Sequence, residues 1–169
     1  TRPYFDEIIA IYQAAFSQPP YNESLPDILN FAARLPYHAV NQGFRCVVAR
    51  PAPRAAIIGF AYGYAGLPRT WWYGLVAPAL PPEQAEDWLG DYFELAELAV
   101  LPDWQGQGAG GLLHDALLRA LPHRTAALST PQAQTNALHL YQRRGWVNLI
   151  EHFRFPGVEM VYRIMGLKL

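Results

Sequence analysis

Cysteine, lysine and long apolar runs are nearly or wholly missing from this chain, and each shortage removes a class of protein. A single cysteine, Cys46, allows neither an internal disulfide framework nor a cysteine-rich metal site. Within FRCVVA it reads as a buried strand residue with no redox role. Lys168 is the only lysine among thirteen basic residues, and the formal net charge is −1, so the chain shows neither a nucleic-acid footprint nor a basic membrane helix. No stretch nears the roughly 18 apolar residues of a membrane span. The opening TRPYFDEIIA lacks the basic start and apolar run of a signal peptide, which reads as a cytoplasmic protein. The five histidines show no metal spacing, and His114 and His139 are expected on helix surfaces.

What is present is apolar material, 51% of the 169 residues, enough for one domain with a sizeable core. Ile8, Ile11, Tyr12 and Ala15 recur at helical spacing in 4–16, and 24–35 reads as a second helix behind a Ser24 cap. Residues 44–49 and 55–65 read as a hairpin around RPAPR. The proline- and aromatic-rich stretch 66–91 reads as a long ordered loop with at most a short helix near Glu83 to Trp88. Its Trp71, Trp72 and Tyr73, with Tyr21, either line a pocket or pack the loop. From there the pattern alternates. A strand over 92–100 precedes a helix over about 109–121, a strand over 125–129 and a helix over about 134–144. Strands near 146–154 and 158–164 complete a mixed α/β sheet.

The segment LPDWQGQGAGGLLHDALLRAL, residues 101–121, sets Gly106, Gly108, Gly110 and Gly111 where a helix has to begin. Glycine weakens a helix start, yet it bares the N–H groups that have no partner inside the helix and that sit at the positive end of its dipole. A phosphate can take those bonds. The segment therefore reads as a diphosphate cradle or, alternatively, as a tight loop whose glycines permit positive φ. A dinucleotide fold fits poorly: LPDWQ separates Val100 from Gly106, and no acidic residue follows about 20 positions on, since the next after Asp115 is Glu151. No Gly-Lys-Ser/Thr occurs for a P-loop.

Gln105, Gly108 and Gly110, behind ELAVLPDW, fill the fixed positions of a [Q/R]-x-x-G-x-[G/A] motif. At the right distance, ALHLYQRRGW (137–146) matches A-x-x-x-Y-x-x-x-G-F through Ala137, Tyr141, Gly145 and Trp146. In both the sequence resembles the GNAT superfamily of acyl-CoA-dependent N-acyltransferases, over about residues 44–164. The resemblance implies an α/β domain with a mixed, mostly antiparallel central sheet flanked by helices, whose splayed strands form the acyl-CoA site. It implies one domain over 1–169, with a helical acceptor-side region at 1–40 and an acyl-CoA-binding core at 92–146. The family usually opens with a strand before its first helix; only Thr1, Arg2 and Pro3 precede Tyr4, so that strand is reduced or not included.

The same resemblance assigns roles. Backbone groups of Leu98 and Val100 would bond the pantetheine arm, and a main-chain N–H near Leu98 or Ala99 would polarise the thioester. The N–H groups of Gly106, Gln107, Gly108, Ala109, Gly110 and Gly111 would take the pyrophosphate. Where the family often has an asparagine near the cofactor stands Gln134, with Asn136 two places on. Tyr141 would protonate the leaving thiolate, and Glu94 or Glu97 would serve as base; Glu94 lies at the family's spacing, eleven residues before Gln105. On a regular strand the two glutamates face opposite ways, unless a bulge brings them together. Acetyl-CoA is then the acyl donor, no metal is needed, and the acceptor is a small-molecule or peptide amine. A homodimer stays open. A non-catalytic acyl-CoA-binding module and an O-acyltransferase are the alternatives.

Overall fold

The computed structural model describes residues 4–169; the first three residues, on which a reduced opening strand would fall, lie outside them. Along the chain run helices α1 (Phe5–Phe16) and α2 (Leu25–His38), strands β1 (Arg45–Ala49) and β2 (Gly59–Ala65), helices α3 (Trp71–Val76) and α4 (Pro82–Leu89), strand β3 (Tyr92–Val100), helix α5 (Ala109–Leu118), strand β4 (Thr125–Pro131), helix α6 (Asn136–Arg143) and strands β5 (Val147–Phe153) and β6 (Tyr162–Lys168). The strands hydrogen-bond in the order β1-β2-β3-β4-β6-β5, a mixed, mostly antiparallel sheet. Contacts group the described residues into two compact units: residues 4–64 with 97–119, and 65–96 with 120–169.

In the first unit the amphipathic spacing of α1 buries Ile8, Ile11 and Tyr12, and α2 buries Ile28, Phe31 and Leu35. The Ser24 N–H donates to Asp27 Oδ2 at 2.8 Å, the reciprocal half of a capping box. The helix continues past its expected end at 35, through Pro36 to His38, and so carries the His38 ring to β2. β1 and β2 form the expected antiparallel hairpin, Arg45↔Gly63 to Ala49↔Gly59, although β2 starts only at Gly59. Cys46 is half-buried on β1, and burial pushes its thiol up to about 11, where it stays protonated at neutral pH.

In the second unit β4 and β6 pair antiparallel from Thr125↔Lys168 to Pro131↔Tyr162, and β5 covers the other edge of β6. β3 pairs in parallel with β4 at only three positions, Tyr92↔Thr125 to Glu94↔Ala127. The ladder ends there although this unit's share of β3 continues through Ala96.

Two expectations need correction here. Residues 66–91 hold more than the one short helix expected near Glu83 to Trp88: that helix is α4, opened by Pro82 where a missing N–H costs nothing, and a further helix, α3, is capped by Thr70, which accepts the Tyr73 N–H. Both helices are short, and their order comes from burying Trp72, Val76, Leu80 and Leu89 against Tyr92, Phe155 and Ile164. The last strand lies at 162–168 rather than 158–164. VEMV alone looks strand-like, but Ile164 opposite Ser129 sets the register, and Gly157 at φ +74° turns the chain before it.

Candidate functional site

β3 hands the chain to the glycine segment through a short turn in the first unit. Leu101 N–H donates to Ile58 O at 2.8 Å, and Pro102–Trp104 form a 3₁₀ turn that consumes the five-residue spacer. Gln105 Nε2 then donates back to Val100 O at 2.9 Å, and Gln107 Nε2 to Asp103 O at 2.7 Å. Gln105 ties the loop to the strand end and Gln107 ties it to the 3₁₀ turn, tasks that ask for a long side chain with an N–H donor. Gln105 was expected only as a binding residue; the structure adds this bracing role and shows that the Val100 carbonyl already accepts one bond.

Gly106 (φ +72°) and Gly108 (φ +91°) adopt backbone conformations that side chains disfavour. Gly108 is the N-cap of α5, and no side chain caps this end. Ala109, Gly110 and Gly111 therefore present the first-turn N–H groups. A Cβ built on Gly106 or Gly108 meets nothing within 4 Å, so open space faces both. The far end of α5 is pinned by Arg45, whose Nη1 donates to Leu117 O (2.9 Å) and Arg119 O (2.6 Å), a cation satisfying the terminal carbonyls. Leu98, Ala99 and Val100 lead directly into this loop, with Ala99 and Val100 buried.

Beside them in the same unit lies a cluster the sequence reading did not find. Tyr12 stacks on Phe31 with ring centroids 3.7 Å apart, and its hydroxyl donates to Glu23 Oε1 at 2.9 Å. Burial, then the charges of Glu97 and Glu23, hold the Tyr12 hydroxyl far above the usual phenol range. Arg34 lies 3.5 Å from Glu97. His38 Nδ1 is 3.0 Å from the Tyr62 hydroxyl, and burial, aided by Arg34, lowers its pKa to about 4. The one signal was helical spacing: Tyr12, Arg34 and His38 are polar positions beside buried apolar ones on α1 and α2. Their shared partners on β2 and β3 are distant in sequence.

The second unit holds the remaining candidates. Glu94 is buried on β3, and its charge helps raise the pKa of Tyr92, second to burial. Tyr141 is 5% exposed on α6, its ring centroid 5.7 Å from that of Trp146. Gly145, at φ +83°, ends the helix, and Trp146 N–H donates to Tyr141 O at 3.1 Å. Thr135 caps the other end by accepting the Leu138 N–H at 3.0 Å. Gln134 and Asn136 flank that cap, both exposed. Trp72 donates its indole N–H to Ser129 Oγ at 2.7 Å and packs with Tyr73 near Tyr92, whereas Trp71 is 65% exposed and stacks on Phe155. In the first unit His114, expected on a helix surface, is instead buried on α5, with Nδ1 2.8 Å from Asp115 Oδ1. Among the described residues no group of three metal-ligating side chains converges, and no helix is long and apolar enough to cross a membrane.

The first unit thus carries a strand ending in a braced glycine turn and a helix with a bare N-terminus, within a chain whose strands form a mixed α/β sheet. Residues 88–165 match the acetyltransferase (GNAT) domain. It is 35% identical over 120 residues to a GCN5-like protein acetyltransferase of Mycobacterium tuberculosis, an alignment covering 66% of this chain and 58% of that protein. The chain thus corresponds to less than two thirds of that relative's length. Its fold matches the ribosomal-protein-alanine N-acetyltransferase of Brucella melitensis with a TM-score of 0.68 at 18% identity, over 100% of this chain and 96% of that one. It also matches a chain of the NatC complex bound to Gag peptide and CoA, with a TM-score of 0.62 at 17% identity over 100% and 92%.

Proposed function

We propose that this chain is an N-acetyltransferase that moves an acetyl group from acetyl-CoA to an amine acceptor by direct attack. The observation that carries the reading is the uncapped start of α5 behind Gly106 and Gly108, both at positive φ with open space where side chains would stand. Those N–H groups suit a pyrophosphate, each charge-assisted bond being worth about 1.5–3 kcal/mol. In this reading the loop from Gly106 to Gly111 binds the diphosphate. The backbone of Leu98 and Val100 holds the pantetheine arm, while Gln134 and Asn136 flank the donor.

The acceptor nitrogen attacks the thioester carbon, the C–S bond breaks, and the proton lost by nitrogen is matched by one gained by sulfur. Deprotonating an amine of pKa about 10.4 at pH 7 costs about 4.6 kcal/mol, so a positioned base is useful. The Arg34 ion pair occupies Glu97, which favours Glu94 as that base. Tyr141, on a helix ended by Gly145, is the residue we assign as acid to the leaving thiolate.

Calorimetric titration with acetyl-CoA, using dephospho-CoA and NADH as controls, tests the donor. Micromolar binding, about −8 kcal/mol, with thiol release in the presence of amines supports the reading. Absence of binding at millimolar acetyl-CoA overturns it, and binding without turnover across amines and alcohols would leave a non-catalytic module.

A further inference from the structure

The polar cluster of the first unit sets two carboxyl groups, Glu23 and Glu97, near one guanidinium, and burial raises the pKa of Glu23, as it does for a carboxylate short of a cation. Glu97 has its counter-ion in Arg34, at 3.5 Å. Glu23 has none of comparable closeness: Oε1 accepts the Tyr12 hydroxyl at 2.9 Å, and Oε2 is buried with no hydrogen-bond partner. The charge of Arg34 is the weakest influence on the Glu23 carboxyl, behind burial, the Tyr12 bond and the charge of Asp27. His38 contributes no second cation near neutral pH, because burial keeps its imidazole uncharged. Two carboxylates therefore share one guanidinium, and one buried oxygen lacks a donor. Buried polar atoms in folded proteins find partners, so such an oxygen marks a missing donor.

The surroundings of Glu23 indicate what kind of donor. Its backbone N–H donates to Phe16 O at 2.9 Å, which seats it beside Tyr12 and Phe16, ring centroids 4.5 Å apart, with Tyr21 edge-on to Phe16 at 4.8 Å. A carboxylate among aromatic rings suits an organic cation, which gains from both the charge and the ring faces. A hard metal ion would need several more oxygens, and no such group converges among the described residues. The Tyr12 hydroxyl feels both Glu23 and Glu97, so the orphan oxygen belongs to a network ending one residue before Leu98.

We propose that Glu23 is a specificity-determining residue that binds an alkylammonium group; on the acyltransferase reading, upon which this role rests, that cation belongs to the acceptor. The acceptor class is then a cationic aliphatic amine rather than a neutral or acidic one.

The test is calorimetric titration of the chain with butanediamine and with neutral butanediol of the same length. Parallel titrations use Glu23→Gln and Glu23→Asp, with coenzyme A as an independent probe of each variant. We expect butanediamine to bind the parent and butanediol not to. Glu23→Gln should weaken butanediamine about tenfold or more, Glu23→Asp should retain part of the affinity, and coenzyme A should bind all three alike. Equal binding of the two probes to the parent, or undiminished butanediamine binding by a folded Glu23→Gln, overturns the proposal. If Glu23→Gln fails to fold, the two probes on the parent and the charge-retaining Glu23→Asp still decide. Failure of coenzyme A with butanediamine recognition intact sinks the acyltransferase reading and leaves the cation site standing.

Discussion

Replacing Gly108 by alanine adds one methyl group at a position where the structure separates two effects. The residue sits at φ +91° and ψ −10°, and the new Cβ meets no atom within 4 Å. No steric clash opposes the change, so its cost to folding is the backbone preference alone, about 1–2 kcal/mol. For a chain of this length that lowers Tm by about 2–8 °C. The open space that spares the fold is the space a pyrophosphate would fill at the α5 N-terminus. Loss of one charge-assisted bond there, about 1.5–3 kcal/mol, weakens coenzyme A about ten- to a hundredfold. Gly157 supplies a matched control: it is also at positive φ, +74°, also faces open space, and lies on the turn before β6. Gly157→Ala should lower Tm similarly and leave coenzyme A affinity at the parent value. Calorimetry of both variants, melting and titration, gives the comparison. If Gly108→Ala loses stability like Gly157→Ala yet binds coenzyme A as the parent does, the cradle is refuted and its glycines are only turn formers.

Tyr141→Phe, on the proposed mechanism, should lower kcat about 10²–10⁴-fold with coenzyme A affinity unchanged; thiol release beside a titration checks it, and an unchanged kcat removes the acid role. Gly66→Ala puts its Cβ 1.9 Å from Cζ of the buried Tyr92 ring, so melting should show a loss of about 1–3 kcal/mol or more, whereas Gly74→Ala, in α3 with nothing within 4 Å, should stabilise by about 0.5–1 kcal/mol. His38 has a folded pKa of about 4, below its ordinary 6.5, so the unfolded chain takes up the proton first. Its contribution to stability is complete above about pH 6.5 and is lost as pH falls towards 4. The fall in Tm between neutral pH and pH 4 should therefore be smaller for His38→Gln than for the parent, and equal falls would show that His38 is not held neutral.

The glycine loop was readable because everything it needs is local. Gln105 reaches Val100 within five residues, and Gly106 and Gly108 take positive φ inside one turn. The same holds for Gly145, which ends α6 four residues after Tyr141, and for the Ser24–Asp27 capping box. The burial of His114 was not readable, since helical spacing alone does not say which face of α5 meets the rest of its unit. Nor was α3, whose six residues are too few to show a period and are ordered by Tyr92, Phe155 and Ile164 from elsewhere in the chain, whereas the short helix expected near Glu83 to Trp88 is α4.

By itself, then, the sequence determined the α/β order of elements and the turn behind β3, because periodicity, caps and glycine conformations act between residues a few positions apart. Tertiary structure alone decided the register of β6, the pairing of Arg34 with Glu97 and the burial of an unpaired oxygen on Glu23. Those depend on residues far apart in the chain meeting at close range. Charge balance and desolvation are properties of such meetings, and no local pattern encodes them.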